Sequence, residues 1–291
     1  FGVRQRSIIA QKGENPDVLV MTATPIPRTL ALILYGDLDI SIIDELPPNR
    51  KKIETYAVKK GMEVRVNNFI AQNIEQGRQC YIVCPLVEEN EEINAVSVME
   101  LVEHYQKEVF PNFRVTYLHG KMRPKEKDTI MEEFKNGNID ILISTTVIEV
   151  GVNVPNANIM LIENAERFGL AQLHQLRGRV GRGEYQSYCI LKYEGNSKII
   201  QERMKVISST NDGFIISEKD LELRGSGEFF GTRQHGIPEF KIANLFEDMD
   251  ALKLAQSVAI QIIDKDPLLD KDENKILKKM VDEKFKDRIE I

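Results

Sequence analysis

Residues Ile139 to Pro155 read IDILISTTVIEVGVNVP, a short β-branched run that ends at Ser144 and passes into hydroxyls, a glycine and a proline. In the run Ile139 to Ser144 the apolar side chains do not alternate strictly with polar ones, which is the pattern of a strand buried on both faces. Ser144, Thr145 and Thr146 follow as hydroxyl donors. Gly151 then lets backbone approach a ligand without a Cβ, and Asn153 offers an amide to a sugar hydroxyl.

Similar runs recur at Val18 to Thr22, Thr55 to Val58, Tyr81 to Cys84, Val115 to Leu118, Ile159 to Ile162 and Tyr188 to Leu191. Helical patterns lie between several of them, at Met62 to Gln76, Ala95 to Glu108 and Pro124 to Phe134, the last with proline at a first-turn position. Strand and helix in alternation predict an α/β fold, a parallel sheet flanked by helices. Ligands of such sheets gather in loops beyond the carboxyl ends of the strands. Four loops therefore stand out: TATPIPR (Thr22 to Arg28), HGKM (His119 to Met122), STTVIEVG (Ser144 to Gly151) and the end of QLHQLRGRVGRG (Gln172 to Gly183).

The last stretch places Arg177, Arg179 and Arg182 among three glycines. Arginine is permanently charged and its planar fork matches phosphate oxygens two at a time, while glycine neighbours let a loop come close to its ligand. A phosphate-bearing ligand is the expectation. Pro47 and Pro48, followed by NRKK, read as a linker. After Glu194 the texture changes to an amphipathic helix, a glycine-rich stretch LRGSGEFFGTRQHG (Leu223 to Gly236), and two helical patterns, Asp248 to Asp264 and Asn274 to Ile289.

Composition narrows the classes. A formal charge of -6 over 291 residues excludes a uniformly basic nucleic-acid coat but leaves room for a local basic groove. The longest apolar candidate, Val18 to Tyr35, is cut by Pro25, Pro27 and Arg28 and falls short of a membrane span, so no membrane is expected. The start FGVRQRSIIA has neither an initiator methionine nor the apolar core of a signal peptide, and Phe1 reads as a cut inside a longer chain. Cys80, Cys84 and Cys189 all fall in apolar runs. Cys80 and Cys84, four apart on a strand, would stand about 13 Å apart, too far for a disulfide. Packing in a reducing, cytoplasmic setting is the expected use of all three.

In sequence order, TATPIPRT, YIVCP, LHG, ISTTVIEVGVNVP and QLHQLRGRVGRG resemble the later motifs of a superfamily 2 helicase, and YGDLDISIIDELPPNR with KDLELRGSGEFFGTRQHG is similar to the RecG type within it. The resemblance covers nearly the whole chain. It implies a RecA-like second helicase lobe over residues 49–195, preceded by a remnant of the first lobe and a linker over 1–48, and followed by a translocation element and mainly helical extension over 196–291. The function implied is the C-terminal motor part of an ATP-dependent translocase that remodels branched or double-stranded DNA in recombination and repair, in the bacterial cytoplasm. A single-stranded-DNA-binding protein is a further expected partner. The alternatives are a transcription-repair coupling translocase and a non-catalytic nucleic-acid-binding module.

Roles follow position by position from that resemblance. Thr22, Ala23 and Thr24 look like the motif coupling nucleotide state to DNA grip. His119, Gly120 and Thr145 resemble DNA-backbone contacts, and Arg224, Arg233 and Gln234 belong to the element that would pass lobe motion to DNA. Gly151 and Asn153 resemble the pair near the ribose and phosphates, although Asn153 stands where aspartate is usual, and Gln175 would lie beside the nucleotide. Arg179 and Arg182 look like arginine fingers. Arg177, with no nucleotide role, would form a salt bridge within the lobe or touch DNA.

Phosphoryl transfer also needs a phosphate cradle and a carboxylate-held Mg²⁺. No GxxxxGK[ST] occurs, and DELP, Asp44 to Pro47, precedes a proline linker instead of following a buried strand. ATP and Mg²⁺ would therefore be bound mainly by another lobe, with no metal site in this chain, and the isolated chain is expected to be inactive as an ATPase.

Overall fold

In the computed structural model, the described residues are 19, 21–22, 41–43, 45, 50–59, 61–85, 99–145, 154–229 and 248–285. Two compact units emerge, one of residues 24–28 and 37–234 and the other of residues 1–23, 29–36 and 235–291.

The larger unit is built on a six-stranded sheet. Its strands are β1 (Glu54–Lys59), β2 (Gln79–Val83), β3 (Val115–Leu118), β4 (Ile141–Ser144), β5 (Ala157–Ile162) and β6 (Tyr188–Tyr193). They lie in the order β1-β6-β5-β2-β4-β3, and every pairing is parallel. Every residue of β2, β4 and β5 is buried, which the unbroken apolar runs require. The edge strand β1 has only exposed and half-buried positions. The parallel sheet with flanking helices is thus the RecA-like lobe expected from the sequence. Of the first run, Val18 to Thr22, the described residues Leu19, Met21 and Thr22 are exposed and outside any strand.

Two apolar clusters cover the two faces. On one, α1 (Glu63–Glu75) lays Val66, Ile70 and Ile74, spaced by four, against Cys80, Ile82, Ile141 and Ile159. The helical residues 99–104 end in a π-helical turn, Tyr105–Val109, whose Tyr105 joins the same cluster. On the other face, α2 (Pro124–Lys135) contributes Phe134, and α3 (Leu170–Arg177) contributes Leu170, Leu173 and Leu176. Helix α4 (Lys198–Ser209) adds Met204 and Ile207, and α5 (Gly213–Phe229) adds Ile216. Helices α4 and α5 therefore share the core of the sheet unit.

Two elements differ from the sequence reading. Arg177, read with the arginine loop, instead ends a helix: leucines at 170, 173 and 176 give that helix a buried stripe, and the loop begins only at Gly178. The glycine-rich stretch begins inside α5, which continues to Phe229. The buried Ile216, Ser217, Asp220 and Leu221 hold the preceding turns, and glycine in a helix costs only about 1 kcal/mol relative to alanine.

In the smaller unit, α6 (Met249–Lys265) and α7 (Lys275–Phe285) match the predicted helical patterns. Their connection is organised by Asp266, whose carboxylate accepts hydrogen bonds from the Asp270 and Lys271 amides and from Asn274 Nδ2. All three cysteines are free and buried, and burial pushes the Cys84 and Cys189 thiols up to about 12. No helix among the described residues is long and apolar enough to cross a membrane.

Candidate functional site

The sheet brings the candidate residues to its two opposite ends. Leu118 pairs with Ser144, so the residues that follow, His119 and Thr145, leave the carboxyl ends of neighbouring strands side by side. Both carry a buried polar atom without a hydrogen-bond partner: Nδ1 of His119 and Oγ1 of Thr145. Thr145 is 1% exposed, and the Ser144 hydroxyl donates to its carbonyl at 2.6 Å. The His119 ring stacks on Tyr117 with centroids 5.8 Å apart, and burial together with the charges of Lys127 and Lys121 lowers its pKa. A buried unpaired polar atom costs roughly 1–3 kcal/mol, which makes these two atoms the places where an external hydrogen-bonding group gains most.

The arginine loop lies at the other end. Helix α3 runs back along the sheet from β5, so it delivers residues 178–183 to the amino ends of the strands rather than to the carboxyl ends expected from the sequence. A Cβ on Gly181 would stand 2.9 Å from Cγ1 of Ile53, the residue before β1, and 3.9 Å from Cβ of Ser187, the residue before β6. A Cβ on Gly183 would fall on the carbonyl oxygen of Pro155, just ahead of β5. Gly181 also has φ +80°, a left-handed conformation that favours glycine. These two glycines thus serve the approach of the loop to its own scaffold, where the sequence suggested approach to a ligand.

The three arginines divide sharply. Arg177, on α3, is only 2% exposed. Its Nη1 donates to the carbonyls of Ile207 at 2.7 Å and Thr210 at 2.8 Å and reaches Oγ1 of Thr55 at 3.5 Å, and its Nη2 lies 3.1 Å from Nδ1 of His174. Among the described residues it forms no salt bridge: main-chain carbonyls at the end of α4, which present partial negative charge, take the place of the expected ion pair, and its burial leaves almost none of it open to an outside ligand. Burial and the Arg177 charge hold His174 down at about 4, so its imidazole is neutral and free to accept from the guanidinium. Arg179 is half-buried and Arg182 exposed, and neither side chain has a hydrogen bond or ion pair among the described residues, although the Arg179 amide donates to the Leu176 carbonyl at 3.0 Å. Their positive charges reach the Tyr81 phenol, which burial raises well above its ordinary range and which the two guanidiniums pull the other way. Two guanidinium groups without a partner among the described residues have the charge and planar fork that bind phosphate oxygens.

Gln175 is exposed on α3, one turn before the loop, and Gly120 is exposed after β3. Thr22 is exposed. Ala23, Thr24, Gly151, Asn153, Arg233 and Gln234 lie outside the described residues, and Arg224 is described only as part of α5. Among the described residues no group of three or more His, Cys, Asp or Glu could hold a metal ion.

The sequence reading missed two contributors. His174, inside the motif, accepts from Arg177, and Arg78 lies beside the segment that follows the arginine loop. Helical spacing of Leu170, Leu173 and Leu176 puts His174 and Arg177 one turn apart and would have revealed the first.

Comparison with known proteins completes the picture. Residues 63–184 match the helicase conserved C-terminal domain, and residues 210–291 match the C-terminal part of domain 3 of the ATP-dependent DNA helicase RecG. The ATP-dependent DNA helicase RecG of Bacillus subtilis is 50% identical over 278 residues, 96% of this chain and 41% of that protein. The Thermotoga maritima RecG is 50% identical over 256 residues, 88% of this chain and 33% of that protein. A solved structure of RecG bound to a three-way DNA junction superimposes with a TM-score of 0.66 and 48% identity, covering 84% of this chain and 31% of that one. The chain thus spans about a third to two fifths of the length of these relatives.

Proposed function

Because the chain belongs to the RecG-type family of DNA helicases, we propose that it forms the second motor lobe and following element of an ATP-dependent double-stranded DNA translocase that remodels branched DNA. The observation that supports this reading is the contrast within the arginine run: Arg177 is consumed by the fold, while the side chains of Arg179 and Arg182 have no partner among the described residues and are left for a phosphate. A purely structural loop would pair its arginines with some of the 45 acidic residues of the chain.

In this reading the nucleotide and Mg²⁺ are held mainly by another lobe of the full-length protein, and ATP supplies the phosphoryl group. Arg179 and Arg182 place positive charge on the developing phosphoryl oxygens, and Gly151, Asn153 and Gln175 border the nucleotide. His119, Gly120 and Thr145 hold the DNA backbone at the other end of the sheet. Thr22, Ala23 and Thr24 couple the two events, and Arg224, Arg233 and Gln234 carry the motion to the duplex. Residues 1–48, 49–195 and 196–291 act as first-lobe remnant, second lobe and translocation element. A cytoplasmic setting and a single-stranded-DNA-binding protein as partner complete the proposal.

The test is DNA-stimulated ATP hydrolysis by the full-length protein. Arg179→Ala and Arg182→Ala each lower turnover by about 10³-fold or more while DNA affinity is kept, as expected of arginine fingers. Normal turnover in both variants refutes the assignment. The chain by itself hydrolyses no ATP, since a finger stabilises a transition state that must be assembled elsewhere. DNA-stimulated hydrolysis by the isolated chain would overturn that part.

A further inference from the structure

We infer that Arg78 is a positioning residue, one side chain that fixes the segment entering β5 and the segment leaving the arginine loop relative to each other. The inference rests on the proposed phosphate-binding role of Arg179 and Arg182.

Arg78 stands in the tight turn between α1 and β2. Gly77 holds φ +81°, the Arg78 amide donates to the Asn73 carbonyl at 3.0 Å, and the next amide, Gln79, donates to the Asn156 carbonyl at 3.2 Å. The side chain therefore starts from a fixed base. Its Nη1 donates to Oδ1 of Asn156 at 3.3 Å, while its Cζ lies 3.1 Å from the centroid of the Tyr185 ring. Asn156 returns a hydrogen bond from Nδ2 to the Gly77 carbonyl at 2.7 Å, closing a ring around the guanidinium.

The two groups it joins border the site. Asn156 follows Pro155, the residue whose carbonyl excludes any side chain at Gly183. Tyr185 is three residues beyond Arg182 in sequence. The rest of that segment is held by other bonds: Gln186 Nε2 donates to the Lys52 carbonyl at 2.8 Å, and Asn158 Nδ2 donates to the Gln186 carbonyl at 3.1 Å. Tyr185 itself is 49% exposed, and among the described contacts only the Arg78 stack holds its ring. A planar guanidinium can stack on an aromatic face and donate in its own plane at once, which a lysine ammonium cannot do. Displacing a charge-stabilising group by about 1 Å can cost 10²-fold in rate, so a brace three residues from Arg182 bears on turnover.

The experiment uses the full-length protein, with Arg182→Ala as the reference variant. Arg78→Ala lowers the kcat of DNA-stimulated ATP hydrolysis by about 10- to 100-fold, with KM for ATP and DNA affinity within about twofold of wild type. Arg78→Lys fails to restore kcat, Tyr185→Ala matches Arg78→Ala, and Tyr185→Phe retains turnover because the stack survives. Wild-type kcat in Arg78→Ala, with turnover abolished in Arg182→Ala, overturns the role of Arg78 alone. A loss of kcat that comes with equal losses of DNA affinity and melting temperature overturns it too, since that is the signature of a structural defect. Full turnover in both Arg182→Ala and Arg179→Ala overturns the phosphate-binding reading and the brace with it.

Discussion

The guanidinium of Arg177 donates to the main-chain carbonyl of Ile207 across 2.7 Å, fastening the helix that precedes the arginine loop to the end of α4. Charge-assisted hydrogen bonds of this kind contribute more than neutral ones, and removing the donor leaves buried carbonyls unpaired. Arg177→Ala is expected to lower the stability of the sheet unit by about 2–4 kcal/mol, read from denaturant unfolding. Arg177→Lys recovers little of it, because one ammonium cannot reach Ile207, Thr210 and His174 together. An alanine variant as stable as wild type would contradict the buried network.

His174 links that network to pH. Its folded-state value of about 4 lies below the ordinary 6.5, so between these values the unfolded chain binds more protons than the folded one. Stability therefore rises with pH through this window, is fully present above about 6.5, and is lost as pH falls toward 4. Allowing for partial exposure of the ring, the change is about 1–2 kcal/mol. His174→Asn keeps an acceptor for Arg177 but does not titrate, and the pH slope assigned to His174 should be missing from its unfolding curve.

Gly183 tests the packing of the loop. Gly183→Ala puts a methyl group onto the Pro155 carbonyl, and overpacking of this kind costs about 1–3 kcal/mol. In the full-length protein the same change should depress ATP turnover, because the backbone next to Arg182 must move to make room. A variant with unchanged melting and turnover would show that the loop relaxes freely.

Thr145→Val separates stability from binding. The hydroxyl is buried with no partner, so replacing it by a methyl removes an unpaired group and should raise stability by about 1 kcal/mol. If Oγ1 meets a DNA backbone oxygen, the same change weakens DNA binding by the full-length protein several-fold. Equal DNA affinity in titrations at one fixed salt concentration would exclude the contact, since affinity measured at different salt is not comparable.

Much of this architecture was legible in the residues. The runs at Tyr81, Ile139 and Ile159 announce β2, β4 and β5 because a strand buried on both faces leaves polar residues no place to alternate, and the β-branched runs at Thr55, Val115 and Tyr188 mark the less buried strands. The neighbours of each strand were not legible, since the order β1-β6-β5-β2-β4-β3 depends on contacts far apart in sequence. That gap explains the misplacement of the arginine loop: only the path of α3 along the sheet shows which end it reaches. Arg177 was unreadable for a related reason. Its partners are carbonyls 30 and 33 residues away, and a carbonyl leaves no mark in a sequence. The glycines misled in a different way, because permission to approach a ligand and permission to approach one's own backbone are written with the same residue.

The fully buried strands β2, β4 and β5 have a mechanical consequence. Interiors packed to this degree compress little, so the sheet turns as a plate instead of bending. The loop carrying Arg179 and Arg182 meets the amino-end rim beside β1, β6 and β5, and His119 and Thr145 meet the carboxyl-end rim at β3 and β4, so the two differ both along the strands, where four residues span about 13 Å, and across the sheet. A rotation imposed at the arginine rim of such a plate would reach the far rim undiminished, with the breadth of the sheet as the arm of the lever.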